Sequence, residues 1–461
     1  MCADSLWTAS SVLSPVYWPF SLQWLPQPAY LVGGSVRDAL LGRKTAHLDL
    51  DFVMPTHAVE TAQAIARHYK AGFVLLDAER QIARVVFDQA TADFAQQVGP
   101  SLESDLERRD FTVNAIAYDP HTGHLIDPLQ GYADLHQHWL RMVAPENLQE
   151  DPLRLLRAYR QASQLGFSIA PETQIWIRQL SPLLSQIAAE RIQSELSYLL
   201  STPKGTPWLI AAWKDGLLQH WFPGATEQQV ALIPAIDQAA LDLSALHPPF
   251  EVELSRWIRD RKSSKGKSSK SPQAVGCCSS LDPDKIKMAG GRRTWLSTAK
   301  LIGLLTPVPE VAEAELLQLK YSRAEIQTVV TVLKLLPRLI AAQSSMLTSM
   351  PTSMPMSRRD QYFLFQGVGF AFPALVLLAI ASGVSQEAIS PLIERFLNPD
   401  DPVAHPTPLL TGQDLMQQLG LPPSPRIGQL LAALQLAHAE GQIATPTEAL
   451  EWAEVLCSSK Q

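Results

Sequence analysis

Apolar and polar positions follow two different periods along this chain. Tyr30, Leu31 and Val32 form a short apolar run, and residues 48–53 (Leu-Asp-Leu-Asp-Phe-Val) alternate strictly; both read as strands. Residues 73–76, 82–87 and 91–94 are further strand-like pieces rich in Val, Phe and Ile. Between them, Gly33-Gly34 breaks the first strand and residues 35–41 read as a helix of about two turns stopped by Gly42. Residues 55–69 carry alanine-rich helical spacing. From residue 143 onward the period is helical throughout. The pattern therefore predicts an α+β protein, with an N-terminal α/β head followed by an all-helical neck, body and tail.

Two features of the head carry chemistry. In the alternating run, Asp49 and Asp51 fall on one face of the predicted strand, while Leu48, Leu50 and Phe52 fall on the other. Like charges side by side are unfavourable unless a cation lies between them, and hard oxygen donors at this spacing suit Mg²⁺, which takes one or two carboxylates together with substrate phosphates. The alternative is the solvated face of an edge strand. Gly33 and Gly34 at a strand-to-helix turn let backbone N–H groups approach an anion closely, so a triphosphate fits there; the plain alternative is a turn.

Composition changes the picture in three respects. The chain has 461 residues, 46% hydrophobic, with a formal net charge of −7, so it can bury several cores, and any phosphate-binding surface must be local. Its four cysteines, Cys2, Cys277, Cys278 and Cys457, lack metal-ligand spacing and fit a reducing, cytoplasmic setting. Residues 1–28 hold no Lys or Arg and are interrupted by prolines, unlike a signal or transit peptide. The apolar run 363–381 is broken by Gly367, Gly369 and Pro373, which predicts a buried helix pair in a soluble protein rather than a membrane span.

Gly33-Gly34-Ser35-Val36-Arg37-Asp38, followed by Asp49-Leu50-Asp51, resembles the signature of the class II tRNA nucleotidyltransferase and bacterial poly(A) polymerase family, within the polymerase-β-type nucleotidyltransferase superfamily. The resemblance implies a Mg²⁺-dependent enzyme in which Asp49 and Asp51 hold the metal and Gly33, Gly34, Ser35 and Arg37 cradle a nucleoside triphosphate. It implies that Asp93, on a neighbouring strand, is the base or a further ligand for the attacking hydroxyl. Arg108-Arg109-Asp110-Phe111-Thr112-Val113-Asn114-Ala115 matches the family's second motif, with Arg108 and Arg109 able to meet phosphate and Asp110 and Asn114 able to bond ribose hydroxyls. Residues 127–135 resemble a third motif, a turn at the head–neck junction, where Asp127 and Asp134 serve as turn caps or act directly.

Residues 150–160 (Glu-Asp-Pro-Leu-Arg-Leu-Leu-Arg-Ala-Tyr-Arg) form the second decisive motif. Pro152 suits a first helical position, with Asp151 as its N-cap. Arg154, Arg157 and Arg160 recur at three-residue steps beside it. In the family the matching Asp and first Arg read the incoming base, which gives Asp151 and Arg154; Arg157 joins them as a candidate, and Arg160 as a phosphate or structural residue. The chemistry stands by itself. Cytosine and adenine both present an exocyclic amine donor beside a ring-nitrogen acceptor, whereas uracil and guanine reverse the order, so a carboxylate and a guanidinium select C and A without a template. Each mispaired buried group costs roughly 1–3 kcal/mol. Residues 189–196 match the neck motif, where Glu190, Arg191 and Glu195 read as ion-pair braces.

The expected organisation is an N-terminal extension (1–28), catalytic head (29–142), base-reading neck (143–200), helical body (201–343) with a disordered basic insertion about 260–280, low-complexity linker (344–358) and tRNA-binding helical tail (359–461). The implied partners are tRNA, CTP and ATP. Members that add the whole CCA carry a flexible loop between the third carboxylate and the second motif; here that span is short, which in the resemblance goes with CC addition and a separate A-adding enzyme as partner. Poly(A) or A addition within the family, and a non-catalytic RNA-binding protein on the same scaffold, stay open.

Overall fold

The computed structural model describes residues 12–43, 47–256, 293–344 and 356–458. The expected basic insertion and most of the expected linker lie outside the described residues. The chain groups into two compact units that divide between His220 and Trp221.

In the first unit, strands β1 (Tyr30–Val32), β2 (Leu48–Met54), β3 (Gly72–Asp77), β4 (Ile82–Val86), β5 (Ala90–Gln96), β6 (Ala117–Asp119) and β7 (His124–Ile126) make one sheet in the order β3-β4-β5-β2-β1-β6-β7. Within it β2 and β5 pair in parallel and the other neighbours antiparallel. The parallel pair follows from connectivity: after β2 the chain runs through helix α2 (Ala58–Tyr69) and the β3–β4 hairpin before β5 returns beside β2. Helix α1 (Gly34–Leu40) follows β1 directly.

Alternation gives this sheet one apolar and one polar face. Leu50, Phe52, Ala83, Val85, Ala92 and Phe94 are buried on the first, against which α2 packs. The N-terminal segment completes that layer. Trp18 meets Phe52 edge-on at 5.1 Å, Phe20 lies 5.8 Å from Phe52 and 6.0 Å from Phe94, and Phe52 stacks on Phe94 at 5.3 Å. Trp24 lies 4.4 Å from His68 on α2, and the Ser21 N–H donates to the Tyr69 hydroxyl at 2.9 Å.

The head leads into the neck through hydrogen-bonded backbone. Asp127 accepts from the N–H groups of Gly131 and Tyr132 and so caps helix α4 (Gly131–Gln137); buried Asp134 accepts from Thr112 and pairs with Arg141. A Cβ on Gly131 would lie 2.2 Å from the Thr112 carbonyl oxygen, so this turn requires glycine. Strand β8 (Trp139–Leu140) pairs with β9 (Ser168–Ile169), which follows α6 (Leu153–Leu165). The cap expected at Asp151 is present: this residue ends helix α5 (Pro145–Glu150) in an extended conformation, its Oδ1 accepts from the Leu153 N–H at 3.3 Å, and Pro152 takes up the first helical φ/ψ of α6. A residue before proline is pushed out of the helical region, which accounts for the break. Helices α7 (Pro171–Leu180) and α8 (Ala189–Ser201) follow in the expected neck, α9 (Thr206–Lys214) lies just beyond its expected end, and Asp215 ties Tyr159, Gln174 and Arg178 together.

The second unit is helical among the described residues. The helices Leu232–Leu246, Trp295–Ile302 and Arg323–Ser344 pack around Phe372–Ala381, and the fully buried Lys300 pairs with Asp237 at 2.7 Å. The expected helix pair is present: Arg358–Val368 and Phe372–Ala381 are separated at Gly369, whose φ is +52°. Together they are long and apolar enough to cross a membrane, yet every residue from Phe372 to Ala379 is buried within the protein. The last helices, Gly412–Leu419, Pro425–Glu440 and Pro446–Ser458, close around Leu415, Leu430, Leu434 and Ala453.

The packing assigns a structural role to the N-terminal segment. Phe20→Ala should destabilise the head by about 3–5 kcal/mol, measured as a lowered urea midpoint of the tryptophan fluorescence transition.

Candidate active site

The polar face of the sheet carries a row of charge set by strand register. Asp51 on β2 faces Asp93 on β5, which faces Arg84 on β4; one step along, Asp49 faces Thr91. Arg84 engages both oxygens of Asp93, with Nε to Oδ1 at 2.6 Å and Nη2 to Oδ2 at 2.7 Å. The charges of Asp93, Asp49 and Asp51 push the Arg84 pKa further above its ordinary value, the Asp93 hydrogen bond being the largest cause. Thr91 donates its hydroxyl to Asp49 Oδ1 at 2.6 Å.

On the other side of Asp51 lies the glycine turn. Gly33 has φ +76°, and a Cβ there would lie 3.3 Å from Arg109 Nη1 and 3.5 Å from Asp51 Oδ2. Three stretches distant in sequence thus converge on one glycine. Arg109 is loosely held, by Asp105 at 3.3 Å and the Asn114 carbonyl at 3.5 Å, and its buried Nε has no hydrogen-bond partner. A guanidinium with spare donors beside a glycine backbone is suited to an anion. Gly34 opens α1, and the Ser35 hydroxyl donates to the Val32 carbonyl at 3.1 Å. Arg37 is turned inward, bonded to Asp38 at 2.9 Å and to Asn114 Oδ1 at 2.7 Å.

Asp110 is the hub beneath this turn. Its Oδ1 accepts from the Phe111 N–H at 2.9 Å and from Asn114 Nδ2 at 2.8 Å; its Oδ2 accepts from Gln161 Nε2 at 3.3 Å and pairs with Arg157 Nε at 3.0 Å. Burial raises its pKa, but Arg157, the Asn114 amide and the Phe111 N–H outweigh this and hold Asp110 below the usual carboxylate value. Arg157 in turn has its pKa raised, chiefly by Asp110, and it also senses Glu195, Asp151 and Asp51. Helix α6, which bears the 150–160 motif, and strand β2, which bears Asp51, therefore share one electrostatic field.

At the α5–α6 junction Arg154 Nη1 donates to the carbonyls of Arg108 and Asn147, both at 3.0 Å. Arg108 extends to the surface and pairs with Glu150 at 2.6 Å. Arg191 grips Asp151, Nη1 to Oδ1 at 3.2 Å and Nη2 to Oδ2 at 2.8 Å. Arg160 faces away, to Glu195 on α8 and to Gln164.

Residues 29–141 match the poly A polymerase head domain, 166–229 the probable RNA- and SrmB-binding site of polymerase A, and 292–453 the putative domain 2 of tRNA nucleotidyltransferases. A CC-adding tRNA nucleotidyltransferase of Synechocystis is 45% identical over 96% of this chain and 96% of its own length. An A-adding tRNA nucleotidyltransferase of Deinococcus radiodurans is 32% identical over 93% and 96%. The chain belongs to the tRNA nucleotidyltransferase family. The fold agrees: the Thermotoga maritima CCA-adding enzyme solved with tRNA superposes with a TM-score of 0.65 at 22% identity, covering 93% of this chain and 91% of that one.

For a tRNA nucleotidyltransferase, the donor set can be tested against a metal. Among the described residues no group of three or more His, Cys, Asp and Glu is arranged to hold an ion. Asp93 is committed to Arg84, which leaves Asp49 and Asp51, a set that fits a hard cation sharing its remaining positions with substrate oxygens. Arg84 and Gln161 join the site without a local signal in the sequence, since an arginine on a strand and a glutamine on a helix are ordinary surface residues, and Arg191, expected as an ion-pair brace of the neck, pairs with Asp151.

Two outcomes follow for this tRNA nucleotidyltransferase. Gly33→Ala, strained by its positive φ and crowded against Arg109 and Asp51, should weaken CTP binding at least about tenfold, read by titration calorimetry. Because the Asp110 pKa is depressed, its contribution to stability is complete above the ordinary value of about 3.9 and is lost as pH falls through the folded-state value. Asp110→Asn should thus lower the melting temperature at neutral pH, and the gap to wild type should close in acid.

Proposed function

We propose that this protein adds two C residues, without a template, to the 3′ end of tRNA from CTP with Mg²⁺ in the cytoplasm, leaving the terminal A to a separate enzyme. Asp49 and Asp51 are the residues that would hold the metal, which when bound neutralises triphosphate charge and lowers the pKa of the attacking 3′-hydroxyl. The Gly33-Gly34-Ser35 backbone and Arg109 receive the triphosphate, with Arg37 as a fixed cation behind it and Arg108 at the rim. Asn114, whose Oδ1 keeps one lone pair beyond Arg37, selects the ribose, and Asp110, with its four lone pairs committed, holds Asn114 in place for it. Asp93 keeps two lone pairs beyond the Arg84 fork and accepts the hydroxyl proton through one of them. Asp151 accepts from the exocyclic amine and Arg154 donates to the ring nitrogen, so C and A qualify while U and G do not; Arg157 holds the base-reading helix against Asp110.

The observation that carries the choice of CC is the connection between β5 and α3 (Leu102–Leu106). Only residues 97–101 lie between them. Gln97 N donates to the Met54 carbonyl at 2.8 Å, Val98 N donates to Asp105 at 3.0 Å, and Ser101 forms a capping box with Ser104. The flexible loop of members that add the full CCA has no counterpart in a turn tied at this many points. The Synechocystis relative bears the name of a CC-adding enzyme, whereas the A-adding relative spans nearly the same length, so overall similarity by itself does not make the choice. The helical tail, which resembles segments facing the tRNA elbow in the family, would bind that part of the substrate.

Incubation with tRNA ending at the discriminator base, offered CTP and ATP separately and together, should give 3′ ends extended by CC and no further. Sequenced ends carrying CCA would overturn the CC assignment. Replacing Asp49 and Asp51 by Ala should abolish CMP incorporation, and retained incorporation would sink the catalytic one.

A further inference from the structure

Gln161 is 3% exposed and lies on α6, one position beyond the arginines at 154, 157 and 160. A buried glutamine is unfavourable unless its amide is satisfied, and here every partner belongs to the site. Its Oε1 accepts from Asn114 Nδ2 at 2.9 Å and from Arg37 Nη1 at 3.5 Å, and its Nε2 donates to Asp110 Oδ2 at 3.3 Å. Asn114 makes the parallel set, accepting from Arg37 at 2.7 Å and donating to Asp110 at 2.8 Å.

Donor and acceptor roles fix the orientation of both amides. Arg37 has no acceptor, so each amide oxygen must face it; Asp110 as a carboxylate has no donor, so each amide nitrogen must face that way. The result is two amides side by side between a cation and an anion, with every dipole pointing the same direction, an arrangement in which each bond polarises the next. Arg37 belongs to the glycine-turn motif and Asp110 and Asn114 to the second motif, while Gln161 is on the base-reading helix. It is the one residue that bonds to all three of those side chains from α6.

We propose that Gln161 is a positioning residue for nucleotide selection: it fixes the spacing between the triphosphate seat, the ribose-reading Asn114 and α6, so that a ribonucleoside triphosphate is gripped at both ends at once. The inference rests on the proposed nucleotidyl transfer and adds a residue to it. Gln161→Met keeps the volume and removes the amide; Gln161→Asn keeps the amide and withdraws it by one methylene. In both, Asn114 loses its second acceptor and is held by Arg37 and Asp110 alone, without a brace from α6, and Asp110 keeps Arg157 as its α6 partner.

Both variants should raise KM for CTP about tenfold, the loss of roughly one buried hydrogen bond, while lowering kcat far less. Both should also narrow the preference for CTP over dCTP by a similar factor, read by single-nucleotide extension of tRNA lacking its 3′ end, with melting temperature and the calorimetric fraction of CTP-binding protein measured alongside. Unchanged KM and unchanged CTP/dCTP preference in folded Gln161→Asn would overturn the proposal, as would a fall confined to kcat. If Gln161→Met fails to fold, Gln161→Asn decides. Wild-type protein that incorporates no CMP would instead sink the proposed function.

Discussion

Three carboxylates cannot share one face of a sheet without cations, and most of the head's architecture answers that constraint. Parallel pairing of β2 with β5 sets Asp51 beside Asp93, and antiparallel pairing of β5 with β4 sets Arg84 beside Asp93. Arg109 closes the other side of Asp51 across the Gly33 turn. The row thus has the Arg84 guanidinium paired with Asp93 and the Arg109 guanidinium beside the Gly33 turn, and Asp49 and Asp51 are its carboxylates outside the Arg84–Asp93 fork. The opposite face is held by an aromatic and aliphatic layer that keeps the strands in this register, since a slip of one residue would carry every charge into it.

A second charge problem is solved beneath the turn. Asp110 is buried, and it stays ionised because Arg157 and the Asn114 and Gln161 amides converge on it. This fixes α6 against the head. The same helix begins beside Asp151 and Arg154, so the electrostatic tie that stabilises Asp110 also sets where those two residues stand relative to Asn114, Arg37 and the glycine turn.

Fold class and the elements that carry the candidate site were legible because their signals are local. The alternation in residues 48–53 requires both carboxylates on one face, the glycine pair requires a turn, and the proline at 152 requires a break; each follows from a few adjacent residues. The break falls at the residue that Pro152 restricts: Asp151 is extended, and its carboxylate accepts from the Leu153 N–H at the start of α6. Arg84 and Gln161 were illegible for a different reason. Arginine and glutamine on a strand or helix are ordinary surface residues, and only the partner across a strand or beneath a helix turns them inward.

The sequence by itself determined which chemical groups are present and the faces they share within each element: two aspartates on one strand face, arginines along one helix, glycines where the backbone must turn. Tertiary structure alone decided their partners. Asp93 faces Arg84, Asp151 faces Arg191, Arg37 turns inward to Asn114 and Gln161, and the aromatic residues at 18 and 20 become part of the head's core. The reason is physical. Periodicity is set by bonds between near neighbours, whereas the pairing of charges is set by strand order and helix packing among residues up to a hundred or more positions apart, which no local pattern encodes.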